Sequence, residues 1–383
     1  MSDKKIDIDI FSSMKIENKS ASLVKMDDCI RNNEPSSYIP SGTFTLDWIT
    51  GRPGIRKAAI YSLIGDTGSL KSYLAGEFIR SITLYNQNKF NEPGVILLND
   101  SESSYTPDWF EERGIESSNV MTCLFESMED MTLYYVDFFK KYRSAIKSRT
   151  DNLSVYEYHE KIPILGLVFD TISAICSEDD YKEKNQFASA ARLMSKFVRI
   201  VQTTLIPANI IALFIFQERS QIKQSIYEKE DINKTARGIR PARFDAQAMY
   251  QLKIRQKSEH VRYCKIKAAK NRLNSFNEGK ECQLVVDLRD GINDIPVILE
   301  AAVDIGIVKK IGNNYVFPDS KEKIDPATTA NRVWDEVKRE VFGENYNPYI
   351  YTNRTLDMKI DNEPITDINE VEEDDISNVD ELL

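Results

Sequence analysis

The stretch from Ala59 to Ala75, AIYSLIGDTGSLKSYLA, limits what this chain can fold into more than any other. A short apolar run (Ala59, Ile60, Leu63, Ile64) bounded by Gly65 predicts a buried parallel strand. A tight turn follows through Gly65, Asp66, Thr67, Gly68, Ser69 and Leu70. Lys71-Ser72 then stand at the head of an amphipathic segment carrying Leu74, Phe78, Ile79 and Ile82. Strand, small loop and helix start together form a device for holding a triphosphate. Backbone N–H groups of Thr67 to Ser72 can face phosphate oxygens, helped by the positive end of the helix dipole. Lys71 would neutralise the β- and γ-phosphates, and the Ser72 hydroxyl would ligate Mg²⁺. The usual pattern has a second Gly directly before the Lys. Leu70 stands there instead, so a plain strand–turn–helix is the competing reading.

The chain's 383 residues give room for one large α/β domain and a smaller one. No apolar run approaches the roughly 20 residues of a membrane span, and MSDKKIDIDI has no signal-peptide core. The five cysteines (Cys29, Cys123, Cys176, Cys264, Cys282) are scattered and never form a C-x-x-C pair. With only His159 and His260 beside them, they argue against a zinc site, a disulfide framework or His-based nucleophilic catalysis, and a reducing cytoplasm is the default location. The net charge of −10 is an uneven average. Residues 361–383 carry ten acidic and no basic side chains, so the first 360 residues are neutral. That tail reads as a solvated acidic segment: a solubiliser, a mimic of nucleic acid, or a docking site for a basic partner.

Three further apolar runs end in polar residues. Gly94–Asn99 leads into Asp100-Ser101-Glu102, Pro163–Phe169 into Asp170-Thr171, and Asn209–Phe216 into Gln217. Acidic residues just past parallel strands sit at the ligand-binding edge of an open α/β sheet. Asp170 is the expected Mg²⁺ anchor beside a phosphate loop, or else an N-capping residue at a strand end. A helix from about Ser127 to Arg149 ends in Lys140, Lys141, Arg143 and Lys147, read as a solvated helix end. The segment Phe187 to Leu205 has an apolar face read as core packing only. A long polar stretch, residues 218–243, sets seven cations against four acids. It suits contact with a single-stranded nucleic-acid backbone, or else a mobile surface loop. Strands are expected near 248–255, 261–267 and 283–288. A small α+β module beyond Gly291 has a hairpin turning at Gly312-Asn313-Asn314 and a last helix from Asp325-Pro326 to Gly343.

The ordered set Lys71-Ser72, Glu102, Asp170 and Gln217, with Lys270 and Arg272 later, resembles RecA-type DNA recombinases. The match is closest to those of large tailed bacteriophages of the T-even kind, which also depart from the phosphate-loop consensus before the Lys. Ser41 to Asp47, Asp100 to Ile115 and Asp290 to Asn293 are similar to family segments, and the likeness spans about residues 38 to 318. It implies an α/β fold: a RecA-like P-loop core with a mostly parallel central sheet flanked by helices. The expected organisation is an N-terminal docking arm (1–37), the ATPase core (38–290), a small C-terminal α+β domain (291–360) and the acidic tail (361–383).

The resemblance also implies roles. Glu102 would be the general base for the attacking water. Lys71, Ser72 and Asp170, the last through a water, would hold phosphate and Mg²⁺. Trp109 would stack on adenine, with a core Trp as the alternative. Gln217 would sense the γ-phosphate, and Lys270 and Arg272 would reach a neighbour's ATP across a subunit interface. Residues 177–186 and 218–243 correspond to DNA-binding loops, the latter through Arg219, Lys223, Lys234, Arg237, Arg240 and Arg243. The implied partners are single-stranded and duplex DNA, further copies of the chain in a head-to-tail filament, a single-strand-binding protein and a loader, in a bacterial host cytoplasm. The implied activity is DNA-dependent ATP hydrolysis coupled to strand exchange. A hexameric helicase core and an ATP-bound DNA-coating filament with little hydrolysis are the competing readings.

Overall fold

The computed structural model describes residues 34–147, 161–175, 187–218, 245–318, 320 and 322–350. The first 33 residues, both expected DNA loops from 177 to 186 and from 219 onward, and the acidic tail lie outside the described residues.

The first half of the chain runs β1 (Tyr38–Ile39), α1 (Phe44–Thr50), β2 (Ile55–Arg56), β3 (Ile60–Gly65), α2 (Lys71–Phe90), β4 (Ile96–Asp100), α3 (Pro107–Glu111), β5 (Val120–Thr122) and α4 (Met128–Lys147). There follow β6 (Leu165–Asp170), α5 (Phe187–Thr204), β7 (Ile210–Gln217), β8 (Ala248–Lys257), β9 (Val261–Asn271), β10 (Glu281–Asp287) and β11 (Gly291–Asn293). The described chain closes with α6 (Ile295–Asp304), the hairpin β12 (Lys309–Ile311) and β13 (Asn314–Val316), and α7 (Pro326–Phe342).

Among the described residues, nine strands form one sheet in the order β11-β10-β9-β8-β3-β7-β6-β4-β5. From β8 to β5 every neighbouring pair is parallel, whereas β8 to β11 form an antiparallel meander. The fold is therefore α/β with a mostly parallel central sheet. Its strands read as unbroken apolar runs because both faces are covered. In β3, Tyr61 and Leu63 enter one core, while Ile60 and Ile64 enter the other. In β7, Ile211, Leu213 and Ile215 alternate in the same way with Ala212, Phe214 and Phe216. The first core packs against α1, α2, α6 and α7. The second packs against α4 and α5, with Tyr135, Phe169, Phe197 and Phe214 clustered at ring separations of 5.0–6.2 Å.

Local chemistry fixes the helix ends. The Thr43 hydroxyl accepts from the Thr45 N–H to cap α1, and Asp325 accepts from the Thr328 N–H ahead of Pro326 to cap α7. Several expected boundaries move. β4 runs one residue further than the apolar pattern, so Asp100 lies within the sheet, directly opposite Asp170. β9 extends through Asn271, which puts Lys270 inside a strand rather than beyond it. The boundary expected at Gly291 falls in the sheet, because Gly291–Asn293 pairs with the end of β10. α6 and α7 share the first core with α1, where the Phe44 ring meets Trp334 edge-on at 5.3 Å.

Candidate nucleotide-binding site

Parallel register brings the polar strand ends to one edge. Gly65 of β3 is level with Gln217 of β7 on one side and Leu252 of β8 on the other, and Asp100 is level with Asp170. This edge lies where neighbouring strands connect to helices on opposite faces, the usual place for a ligand in an open α/β sheet.

The loop between β3 and α2 wraps tightly on itself. The Ser69 hydroxyl donates to the Asp66 carbonyl at 2.7 Å, as does the Ser69 N–H at 3.2 Å. Gly65 is required by close approach, since a Cβ there would lie 2.3 Å from the Leu252 carbonyl oxygen and 2.5 Å from Ser69 Oγ. Leu70 adopts φ = 68°, the left-handed region, which explains why glycine is the usual residue there. A leucine holds that backbone at roughly 1–2 kcal/mol of strain, and its side chain packs against the first core.

Lys71 is buried and folded back on the loop. Its Nζ donates to the Gly65 carbonyl at 2.9 Å and the Asp66 carbonyl at 2.6 Å, with Ser69 Oγ at 3.4 Å. Burial lowers its pKa, and the charges of Asp170, Glu102 and Asp66 oppose that shift. The Ser72 hydroxyl donates to Asp170 Oδ2 at 2.6 Å. Burial pushes the Asp170 carboxyl up, against the pull of the Ser72 and Tyr105 hydroxyls and of Lys71. Glu102 is displaced upward by partial desolvation, then by the Asp170 charge, with Lys71 acting the other way. Gln217 donates from Nε2 to Thr67 Oγ1 at 2.5 Å, tying the end of β7 to the loop.

This donor set fits a magnesium–triphosphate group. It offers an ammonium held on the loop carbonyls and a hydroxyl bonded to a carboxylate, beside a loop so close to β8 that a Cβ at Gly65 would collide.

Other expected residues are placed differently. Trp109 is half-buried on α3 and rests against α2 at Gly76, where a Cβ would come within 2.7 Å of Trp109 Cη2. The Arg113 guanidinium lies 3.9 Å from the centre of the Trp109 ring. Lys270 and Arg272 are not brought to this edge. Lys270 pairs with Met249, which is level with Ser62, so it sits two strands across and about 10 Å back from Gly65. Arg272 is exposed beyond it, its N–H donating to the Gln247 carbonyl at the opposite end of the sheet. Arg219, Lys223, Lys234, Arg237, Arg240 and Arg243 lie outside the described residues.

No protein-family model matches the chain. It is 23% identical over 321 residues to the RecA protein of Malacoplasma penetrans, covering 81% of this chain and 88% of that one. The RecA protein of Chlamydia pneumoniae is 22% identical over 333 residues, with 83% and 86% covered. A mitochondrial DNA repair protein described as a recA homolog, from Dictyostelium discoideum, is 26% identical over 294 residues, with 74% and 57% covered. The chain is similar to RecA proteins.

Three further features emerge from the structure. Tyr105 donates its hydroxyl to Asp170 Oδ2 at 2.6 Å, a contact across strands that no local pattern announces. Lys257, at the end of β8, brings its ammonium 3.5 Å from the Cβ position of Gly68. On α5, Arg192, Lys196 and Arg199 line an open depression with Ser195, Ile200 and Thr203. The apolar face expected on this helix is present (Met194, Phe197, Val198, Val201), but the reading that core packing is its whole content was too narrow. The i, i+4, i+7 spacing of the three cations was legible and marks a second, basic face.

Proposed function

We propose that this chain is an ATP-dependent DNA recombinase. It polymerises head to tail on single-stranded DNA, pairs the filament with duplex DNA and exchanges strands, in the manner of the tailed-phage recombinases it resembles. The observation that carries the reading is the Gln217–Thr67 hydrogen bond. It joins the phosphate loop to the root of the basic segment 218–243, so nucleotide occupancy and grip on DNA share one element.

The chemistry follows from the residues. Lys71 exchanges its two loop carbonyls for phosphate oxygens, so the ammonium is paired in both states. Glu102 takes the proton of a water whose oxygen bonds to the γ-phosphorus, while the bond to the β–γ bridging oxygen breaks and ADP leaves. Its raised pKa makes it a stronger base than an ordinary glutamate. Ser72 and, through a water, Asp170 would hold Mg²⁺, which would neutralise phosphate charge when bound. Trp109 carries the adenine once Arg113 shifts off its face. Gln217 trades Thr67 for the γ-phosphate.

Lys270 and Arg272 stand too far from their own chain's loop to serve it, which favours their acting on a neighbouring subunit's nucleotide. A second copy has a surface to meet. Among the described residues β5 is an outer strand of the sheet, and Met121 on it, Leu124 just past it, and Leu133 and Tyr134 on α4 are exposed. The arm 1–37 would dock on a neighbour, and the acidic tail would compete with DNA. Arg192, Lys196 and Arg199 join the two loops as DNA contacts. Transactions of this kind call for a single-strand-binding protein and a loader in the same compartment.

Electron microscopy with single-stranded DNA, Mg²⁺ and a non-hydrolysable ATP analogue tests assembly, and joint-molecule formation tests exchange. Helical filaments, DNA-stimulated turnover and joint molecules are expected. Glu102→Gln should retain filaments and lose at least about a hundredfold in turnover. Closed rings, or a chain indifferent to DNA and nucleotide, would overturn the proposal.

A further inference from the structure

We infer that Tyr105 is a positioning residue that fixes the Asp170 carboxylate for Mg²⁺, through a hydroxyl held in place by its own backbone and by an aromatic cluster. The inference rests on the nucleotide reading above.

Asp170 is buried at the end of β6, and two hydroxyls converge on one of its oxygens. Ser72 Oγ and Tyr105 OH each donate to Oδ2 at 2.6 Å. Hydroxyl-to-carboxylate bonds of this length are charge-assisted, and two on one oxygen fix the rotation of the carboxylate about its Cβ–Cγ bond. Ser72 alone leaves that rotation free to follow a single short side chain.

Tyr105 cannot easily swing aside. Its N–H donates to Asp100 Oδ2 at 3.0 Å, and Asp100 also accepts from the Glu102 N–H at 3.3 Å and the Ser104 hydroxyl at 3.4 Å. Its ring stacks on Phe110 at 5.7 Å and meets Trp109 edge-on at 4.8 Å. One residue thus touches the turn that carries Glu102, the carboxylate expected beside the metal, and the indole expected beside the base. A tyrosine whose only task were to fill space would not need its hydroxyl on a buried carboxylate.

Tyr105→Phe deletes the hydroxyl and keeps the ring, so the packing against Trp109 and Phe110 remains. The full-length chain is titrated with Mg²⁺ at fixed concentrations of a fluorescent, non-hydrolysable ATP analogue. Analogue affinity is measured separately in EDTA, and the melting temperature without ligand. The Mg²⁺ midpoint should rise about fivefold or more in Y105F, with affinity in EDTA within twofold of wild type. A structural role alone would move the melting temperature and leave the Mg²⁺ midpoint in place. An unchanged midpoint, or an equal loss with and without Mg²⁺, overturns the inference. Should Y105F fail to fold, Tyr105→Leu, which lacks the ring as well as the hydroxyl, is read only by its Mg²⁺ midpoint relative to its affinity in EDTA: a rise in the midpoint beyond any change in EDTA supports the inference, and an unchanged midpoint or an equal loss overturns it. If wild type binds the analogue with no dependence on Mg²⁺, the nucleotide reading and this inference fall together. If wild type responds to Mg²⁺ and Y105F matches it, this inference alone falls.

Discussion

Replacing Lys71 by Met should leave the free protein folded and remove most of its response to nucleotide. In the structure the ammonium has two short bonds to loop carbonyls, 2.9 Å to Gly65 and 2.6 Å to Asp66. Losing a hydrogen bond to a charged group costs about 1.5–3 kcal/mol. Two effects offset that loss in the free chain: a buried ammonium no longer has to be desolvated, and Met fills nearly the same volume. The net change in stability should therefore stay within about 2 kcal/mol.

Binding is offset less, because the wild-type ammonium gives up its two loop carbonyls only to gain charged phosphate oxygens. A triphosphate that loses its ammonium partner loses about 2 kcal/mol, or roughly thirtyfold in affinity. At a concentration one hundred times the wild-type Kd, an ATP analogue with Mg²⁺ stabilises wild type by about 2.7 kcal/mol and K71M by only about 0.9 kcal/mol. Thermal melts with and without the analogue measure both. A second signature is pH dependence. Burial puts the folded-state pKa of Lys71 below its ordinary 10.5. Between those two values the unfolded chain binds the proton that the folded chain has released, so wild-type stability rises with pH across that alkaline window. K71M should lack this rise. An equal ligand-induced shift in K71M would refute the nucleotide assignment, and an unaltered alkaline profile would refute the account of the buried ammonium.

Gln217→Ala removes one neutral hydrogen bond to Thr67, worth about 1 kcal/mol, so analogue affinity should change by less than about fivefold. The ratio of single-stranded DNA affinity with and without analogue, read by fluorescence anisotropy at fixed salt, should collapse toward one; a wild-type ratio would remove Gln217 from the coupling. Neutralising Arg192, Lys196 and Arg199 together should flatten the dependence of log affinity on log salt by about 0.7 per contact, or about 2 in all, for single-stranded DNA. An unchanged slope would mean that α5 does not touch the backbone.

Much of the architecture could be read in advance because its causes are local. Ile60 to Gly65 is apolar but for Ser62, and Leu165 to Phe169 and Ile210 to Phe216 are apolar throughout, a pattern that suits a strand covered on both faces. Asp325-Pro326 and Gly343 bracket α7 because capping and breaking act within one turn. The strand–turn–helix that carries Lys71 and Ser72 is legible for the same reason, the turn being short and continuous in sequence. The strand from Ile96 runs one residue beyond its apolar pattern, since Asp100 is polar and polarity argues for a strand end. The neighbouring β6 nevertheless keeps pairing there, Asp100 opposite Asp170. Trp109 was named for a base-stacking role, but that Arg113 covers its face was not foreseeable from spacing alone. The basic face of α5 lies in the i, i+4, i+7 spacing of Arg192, Lys196 and Arg199, but the apolar face by itself already accounts for a helix there.

The sequence alone determined the inner parallel strands with their apolar runs, the strand–turn–helix around Lys71 and the last helices. Each of these depends on residues a few positions apart, where backbone sterics and solvent leave little choice. Only the tertiary structure decided which polar strand ends meet. The pairs Ser72–Asp170, Tyr105–Asp170 and Thr67–Gln217 span 98, 65 and 150 positions. The same long-range register carries Lys270 and Arg272 away from their own loop, because β9 runs antiparallel to β8. Such contacts are set by how a whole sheet registers and closes over two cores, a collective choice to which no single stretch of chain holds the key.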